Sequence, residues 1–109
     1  MDWETVSADE VDRGFDQFGG LQAAAAAEIC RLIRAADVGQ TWMTDGARSL
    51  PDWVSARLRI RHATAAQLVA VARRLQDLPG LSSRFASGDL SLDQTDAISK
   101  MATADTEAG

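Results

Sequence analysis

The chain has 109 residues, a net charge of −5 and one cysteine, Cys30. This length allows a single domain with a real core, and a lone cysteine excludes an internal disulfide. Cys30 lies in an apolar helical pattern, which predicts a small buried residue rather than a reactive thiol. No apolar run approaches the roughly 20 residues of a membrane span, and no basic-then-apolar leader opens the chain. We therefore expect a soluble, cytoplasmic protein with no membrane partner.

The charge changes sign twice along the chain. Residues 1–45 carry nine acids against three arginines, a balance of −6. Residues 46–76 carry six arginines against one acid, a balance of +5, and residues 77–109 return to −4. The net charge argues against indiscriminate nucleic-acid binding, whereas the basic segment predicts a local patch between acidic flanks.

Apolar residues recur at three and four positions throughout the chain, so we predict helices and no strand. Ser7 and Glu10 have the spacing of a capping box and predict a first helix that ends at Gly19-Gly20. A second, alanine-rich helix is expected over 21–37. Its run 23–27 would let another helix approach closely.

Two helices and a tight turn are predicted over 46–76. Ser49, Pro51 and Asp52 indicate the start of the first of these helices. The second is expected over 62–77, and one of its faces is apolar at Leu68, Val71, Ala72 and Leu75. A short helix should follow over 81–88, and Ser91 with Gln94 predicts the cap of a last one. The apolar residues of that last helix are Leu92, Ile98 and Met101, with Thr95 beside them.

The pair over 46–76 has the pattern of a helix-turn-helix, in which the second helix enters the DNA major groove. Its apolar positions are Val54, Leu58, Ile60, Ala65 and Leu68, with small Ser55 where the helices approach. The turn usually carries a glycine because its backbone favours positive φ. Arg59 occupies that position here, which predicts a strained turn.

The arginines around this turn are the candidate phosphate contacts. Arg57, Arg59 and Arg61 cannot share one helix face, but a tight turn could present them together. On the second helix, Arg61, His62, Ala63, Ala66 and Gln67 occupy the positions that would reach base edges. Gln67 could pair with adenine and Arg61 with guanine or a phosphate. The alternative for the arginines is a solvated face paired with acids of the same molecule, above all for Arg73 and Arg74.

No catalytic or metal-binding pattern is present in the sequence. It has no phosphate-cradling glycine loop, no paired-cysteine metal spacing and no ordered set of serine, histidine and acid. Asp89, Asp93 and Asp96 are more typical of helix capping or solvation than of a metal site. We therefore expect no catalytic residue, no metal, no cofactor and no small-molecule substrate.

The three tryptophans have mainly structural interpretations. Trp53 should anchor the core between the helix pair and the alanine-rich helix, and Trp42 should fill the loop before it. Trp3 lies in the acidic N-terminal segment, where an exposed aromatic ring could dock a protein partner.

Two stretches, DGARSLPDWVSARLRIRHATAAQLVAVARRLQDLPGL and FASGDLSLDQTDAISKMA, resemble the actinobacterial 13E12 repeat family, whose shared region is domain of unknown function 222. The resemblance covers about residues 20–102. It implies a helical module that accompanies a C-terminal HNH endonuclease domain in many relatives. The family's usual turn, Leu-Gly-Leu-Ser, is replaced here by Leu58-Arg59-Ile60-Arg61, which removes the serine cap and adds charge. An HNH site needs at least two histidines, and this chain has only His62.

Together these patterns predict an all-α bundle of about five or six helices with an embedded helix-turn-helix-like pair. The expected organisation is an acidic extension over 1–19, the helical domain over 20–102 and a flexible tail over 103–109. The predicted function is a non-catalytic DNA-binding or accessory module related to HNH-nuclease proteins. Its partners would be duplex DNA and, in addition, either a second copy of this chain or a nuclease protein. The alternatives are a protein-interaction module and a truncated relic of a mobile element.

Overall fold

The computed structural model describes residues 6–102, which form six α-helices and no strand. The helices are α1 (Ala8–Gly39), α2 (Thr41–Thr44), α3 (Leu50–Leu58), α4 (His62–Leu75), α5 (Pro79–Ala86) and α6 (Leu92–Met101). This confirms the prediction of a small all-α bundle. Among the described residues, no helix is both long and apolar enough to cross a membrane.

The longest helix, α1, replaces the two helices predicted for this region. The prediction that a helix ends at Gly19-Gly20 is wrong, because α1 continues through both glycines. A glycine inside a helix costs only about 1 kcal/mol, neither glycine has a positive φ, and the alanines that follow favour the helix. The 32 residues span about 48 Å at 1.5 Å per residue, which matches the 50 Å length of the molecule.

Serine caps begin three of the helices at the predicted positions. Ser7 and Ser49 each accept a hydrogen bond from the backbone N–H three residues later, at 3.2 Å. Ser91 does the same for Gln94, whose side chain bonds back to the Ser91 N–H, so α6 begins with a complete capping box. Each cap satisfies backbone donors that would otherwise have no partner, which explains why these helices begin where they do.

The core is built around α4, which packs against α1, α3, α5 and α6. Ala23 and Ala27 of α1 are buried, and so are Ala65 and Ala72 of α4. These small side chains allow close approach of the two helices, as the alanine run predicts. The larger buried apolar residues are Ile33, Leu50, Val54, Leu68, Val69, Val71, Leu75, Leu78, Leu81, Phe85 and Leu90.

In α6, the residues that face the core are Thr95 and Ser99, while Ile98 and Met101 are exposed. Both hydroxyls bond to carbonyls within their own chain segment, to Ser91 and Asp96 respectively, so they can be buried without losing hydrogen bonds. In α3, Leu58, which the helix-turn-helix pattern places between the helices, is 38% exposed.

The tryptophans lie at the edge of the core. Trp53 and Trp42 are both half-buried and pack against core residues. Trp42 belongs to the short helix α2, which the sequence patterns did not predict, and its buried Nε1 has no hydrogen-bond partner among residues 6–102. Trp3 and the predicted tail over 103–109 lie outside the described residues.

The α3–α4 turn has the predicted positive-φ residue. Arg59 has φ 56° and ψ 47°. The Ser55 carbonyl accepts hydrogen bonds from the backbone N–H groups of Arg59 and Ile60, and the Ser55 hydroxyl donates to the Ile60 carbonyl at 2.7 Å. Ser55 therefore organises the turn with both its backbone and its side chain, and this bonding holds Arg59 in a conformation that costs an L-residue about 1–2 kcal/mol.

Replacing Arg59 with glycine should remove that cost. We expect Arg59→Gly to raise the free energy of unfolding by about 1 kcal/mol, or Tm by about 4–8 °C. Arg59→Ala is the matched control, since it removes the same charge but keeps a Cβ at positive φ. Thermal and urea unfolding followed by circular dichroism measure both. Equal stability of the two variants would contradict the presence of backbone strain at Arg59.

Two glycines should respond in opposite ways to alanine. A Cβ on Gly88, which has φ +87°, would lie 2.9 Å from the Gly20 carbonyl oxygen, whereas a Cβ on Gly19 meets nothing within 4 Å. We expect Gly88→Ala to lower the free energy of unfolding by about 2 kcal/mol or more. Gly19→Ala should raise it by about 0.5–1 kcal/mol. A Gly88→Ala variant as stable as the native protein would show that the α5–α6 turn does not lie against α1.

Candidate nucleic-acid interface

The seven predicted contact residues lie along the end of α3, the turn and the first half of α4. The structure does not present them as one free surface. Arg59 and Arg61 are exposed and form no ion pair with any described residue. They flank the turn that Ser55 holds in place, so their backbone positions are fixed while their guanidinium groups are available.

Arg57 is held by contacts within the protein. Its Nη2 donates to Asp45 Oδ2 at 2.8 Å, and its guanidinium carbon lies 4.6 Å from the centre of the Trp53 ring. Trp53 Nε1 donates to the same Asp45 oxygen at 2.8 Å. The hydrogen bonds from Trp53 and Arg57 lower the pKa of the Asp45 carboxyl, so the pair stays ionised. Trp53 and Arg57 are one turn apart in α3, but Asp45 lies outside that helix, so no helical spacing predicts the cluster.

The first residues of α4 are at the surface. His62 and Ala63 are exposed, and His62 Nε2 lies 3.1 Å from Asp52 Oδ1. Arg61 is the N-cap residue, and its side chain makes no capping bond. Backbone N–H groups at this end of α4 therefore lack a side-chain acceptor, as the loss of the family's serine predicts.

Gln67 is directed at acids of α6 rather than at open solvent. Its Nε2 donates to Asp93 Oδ1 at 2.8 Å and to Asp96 Oδ2 at 3.0 Å. Ala66 beside it is half-buried. Both donors of the Gln67 amide are in use, and an adenine needs one of them for N7, so at least one of these bonds would have to break for base reading.

Asp96 also binds the end of α4. Arg74 Nη1 donates to Asp96 Oδ1 at 2.8 Å, and Lys100 Nζ lies 3.5 Å from Oδ2. Burial raises the pKa of Asp96, but the hydrogen bonds from Gln67 and Arg74 and the charge of Lys100 outweigh it and lower the pKa. The carboxylate thus remains charged beside the predicted base-reading residue.

The late arginines of α4 are paired within the molecule, as their alternative interpretation predicts. Arg73 donates to both oxygens of Asp37 in α1, from Nε at 3.0 Å and from Nη2 at 3.2 Å. The bond from Arg73 lowers the pKa of Asp37 despite its partial burial. Arg73 and Arg74 therefore tie α4 to α1 and α6.

The acids at the start of α1 do not neutralise the turn. Asp9, Glu10, Asp12 and Asp16 form no ion pair with any described arginine. Within residues 6–102, no three histidine, cysteine, aspartate or glutamate side chains are grouped to hold a metal ion. In the described part of this surface, Arg59 and Arg61 supply the positive charge that is available to a ligand.

An apolar surface that the sequence reasoning missed lies on α1. Phe15 is 76% exposed, Phe18 is 64% exposed and Leu32 is 70% exposed. A signal for it was present in the sequence, because these residues belong to a spacing of alternating three and four positions.

Comparison with known families identifies the family to which the chain belongs. A family model described as Domain of unknown function (DUF222) matches residues 17–108. No protein of the curated collections and no solved structure matches the chain significantly. Since the match covers most of the chain and nearly all of the bundle, the protein belongs to the DUF222 family.

Proposed function

We propose that the protein is a non-catalytic accessory module that contacts the phosphate backbone of duplex DNA through its α3–α4 turn. The observation that carries this proposal is the state of Arg59 and Arg61. Both are exposed, both lack an ion pair among the described residues, and both flank a turn whose hydrogen bonds are internally satisfied.

The fixed turn favours phosphate binding because less backbone freedom is lost when the complex forms. Arginine suits phosphates since its planar guanidinium group can donate two parallel hydrogen bonds. Arg61 also stands at the start of α4, where the helix dipole adds partial positive charge. These features support contact with a backbone and supply no sequence discrimination.

The surroundings of Gln67 restrict the proposed contact to the phosphate backbone of DNA. Asp93 and Asp96 bind the Gln67 amide and would repel phosphates on either side of a groove. Asp52 lies beside His62 at the start of the same helix. We therefore expect weak binding, with Kd about 10⁻⁴ to 10⁻⁶ M, and no sequence preference.

In this proposal the module does not cleave DNA itself. The chain's single histidine, His62, is in contact with Asp52, and it offers no second histidine for an HNH site. The cleavage chemistry would belong to a nuclease partner of the HNH type with which the 13E12 resemblance is associated. The module would then hold that partner at DNA.

The second candidate is a protein-interaction module. The exposed apolar face of α1 favours it, and this face lies on a different helix from the turn. The two functions are compatible, since Arg59 and Arg61 do not belong to that face.

The proposal predicts salt-dependent binding that requires both free arginines. We expect Arg59→Ala/Arg61→Ala to weaken binding to a labelled random-sequence duplex at least tenfold at low salt. The slope of log K against log salt should fall by about 2, because two phosphate contacts are lost. Fluorescence anisotropy across a salt series measures both quantities.

Arg13→Ala/Arg84→Ala is the matched control, because this double substitution removes the same charge. Both arginines are exposed and form no ion pair among the described residues. It should retain most of the native affinity and the native salt slope. If both double variants lose affinity equally, the attraction depends on net charge and not on the turn. Absence of binding by the folded native protein at low salt would overturn the proposal.

A further inference from the structure

The outer face of α1 has the spacing of a coiled-coil seam. Its positions alternate by four and three residues: Val11, Phe15, Phe18, Gln22, Ala25, Ile29 and Leu32. This 3.5-residue period keeps one apolar line facing a partner helix. The line covers 22 residues, or about 33 Å of helix. We call these seven residues the α1 seam.

The bundle does not cover the α1 seam. The neighbouring side of α1 packs on the core through Ala23, Ala27, Cys30 and Ile33. Of the seam residues only Ile29 is half-buried, while the others are exposed. Near its C-terminal end, the seam borders a cavity of about 430 Å³ between α1 and α3, lined in part by Ile29, Leu32 and Leu58.

The first half of α1 extends beyond the core. No residue from Ala8 to Gln22 is buried. An isolated helix of this length is marginal in water, and Gly14, Gly19 and Gly20 each weaken it by about 1 kcal/mol. Exposed Phe15 and Phe18 add an apolar patch that a monomer would expose to water. This half of the helix is therefore suited to being covered.

We infer that the α1 seam binds the same seam of a second copy in antiparallel orientation, forming a symmetric dimer. In the best register, Phe15 packs against Leu32 of the other copy and Phe18 against its Ile29. Gln22 then faces small Ala25, so no two polar groups of the seam meet. A two-fold axis repeats every contact and closes the assembly at two chains.

Charge selects the antiparallel orientation. The segment 8–18 carries four acids and one arginine, a balance of −3. A parallel dimer would place two such segments side by side. The antiparallel dimer places each one beside the other copy's α1–α3 cavity, which Arg57 also lines. Like charges are thereby separated and opposite charges brought together.

The apolar area is sufficient for a specific dimer. Four phenylalanines at 64–76% exposure contribute roughly 400–700 Å², given about 150–250 Å² for each aromatic side chain. The aliphatic seam residues and the flanking side chains would bring the total toward the about 1,200 Å² of a specific interface. The phenylalanines supply about half of it, so removing them should abolish association.

Sedimentation of the full chain over a wide concentration range tests the dimer. We expect the mass to rise from 11.7 kDa to twice that value. Phe15→Ser/Phe18→Ser should stay monomeric, with a core that still unfolds cooperatively. Val38→Ser/Met101→Ser is the control, since it removes two exposed apolar side chains elsewhere. A native protein that remains monomeric, or a dimer unaffected by the phenylalanine changes, would overturn the inference.

Crosslinking tests the orientation. Gly14→Cys and Ala35→Cys flank the seam, and the antiparallel register brings position 14 of one copy beside position 35 of the other. A short bismaleimide should crosslink the mixture of the two variants and neither variant alone. Crosslinks within each single variant would show a parallel dimer and overturn the inference. Native Cys30 stays unreactive, because burial raises the pKa of its thiol to about 12.

Discussion

The close packing of α1 on α4 is the contact on which the rest of the structure depends. Ala23 and Ala27 on one helix and Ala65 and Ala72 on the other are buried, and their small size lets the helices approach closely. Arg73 bonded to Asp37 ties the same two helices at the surface. The other helices pack around this pair, so α4 becomes the centre of the bundle.

This central place of α4 limits what the helix-turn-helix pattern can do. A helix that reads DNA needs one open face, but α4 contacts neighbours on several sides. Its remaining surface is bounded by Asp52 at the start and by Asp93 and Asp96 at Gln67. The bond network that stabilises the bundle thus uses the side chains that base reading would need. The α3–α4 turn is not limited in this way. Ser55 makes hydrogen bonds with the backbone of the turn, and Arg59 and Arg61 remain at the surface.

Local signals made part of this fold predictable from the sequence. Ser49, Ser91 and the apolar face of α4 depend on contacts within a few residues, and all were predicted correctly. The positive φ of Arg59 was also predictable, because a glycine usually occupies that position.

The structural features that were not predicted correctly depend on residues that are distant in the sequence. Gly19-Gly20 would end an isolated helix, but here the packed residues that follow continue it. Gln67 and Asp96 are 29 positions apart, so no local pattern shows that they bond. The position and positive φ of the turn were therefore predictable from the sequence, while the partners of the side chains around it were not.

The central claim is that α1 is one helix with two different faces, of which one builds the core and the other is completed by a second chain. Amide hydrogen exchange at low and high protein concentration tests it most directly. The account predicts that residues 23–36 are protected at every concentration, because they pack on α4. Residues 8–18 should gain protection only as the concentration rises. Protection of 8–18 that does not change with concentration would contradict the account.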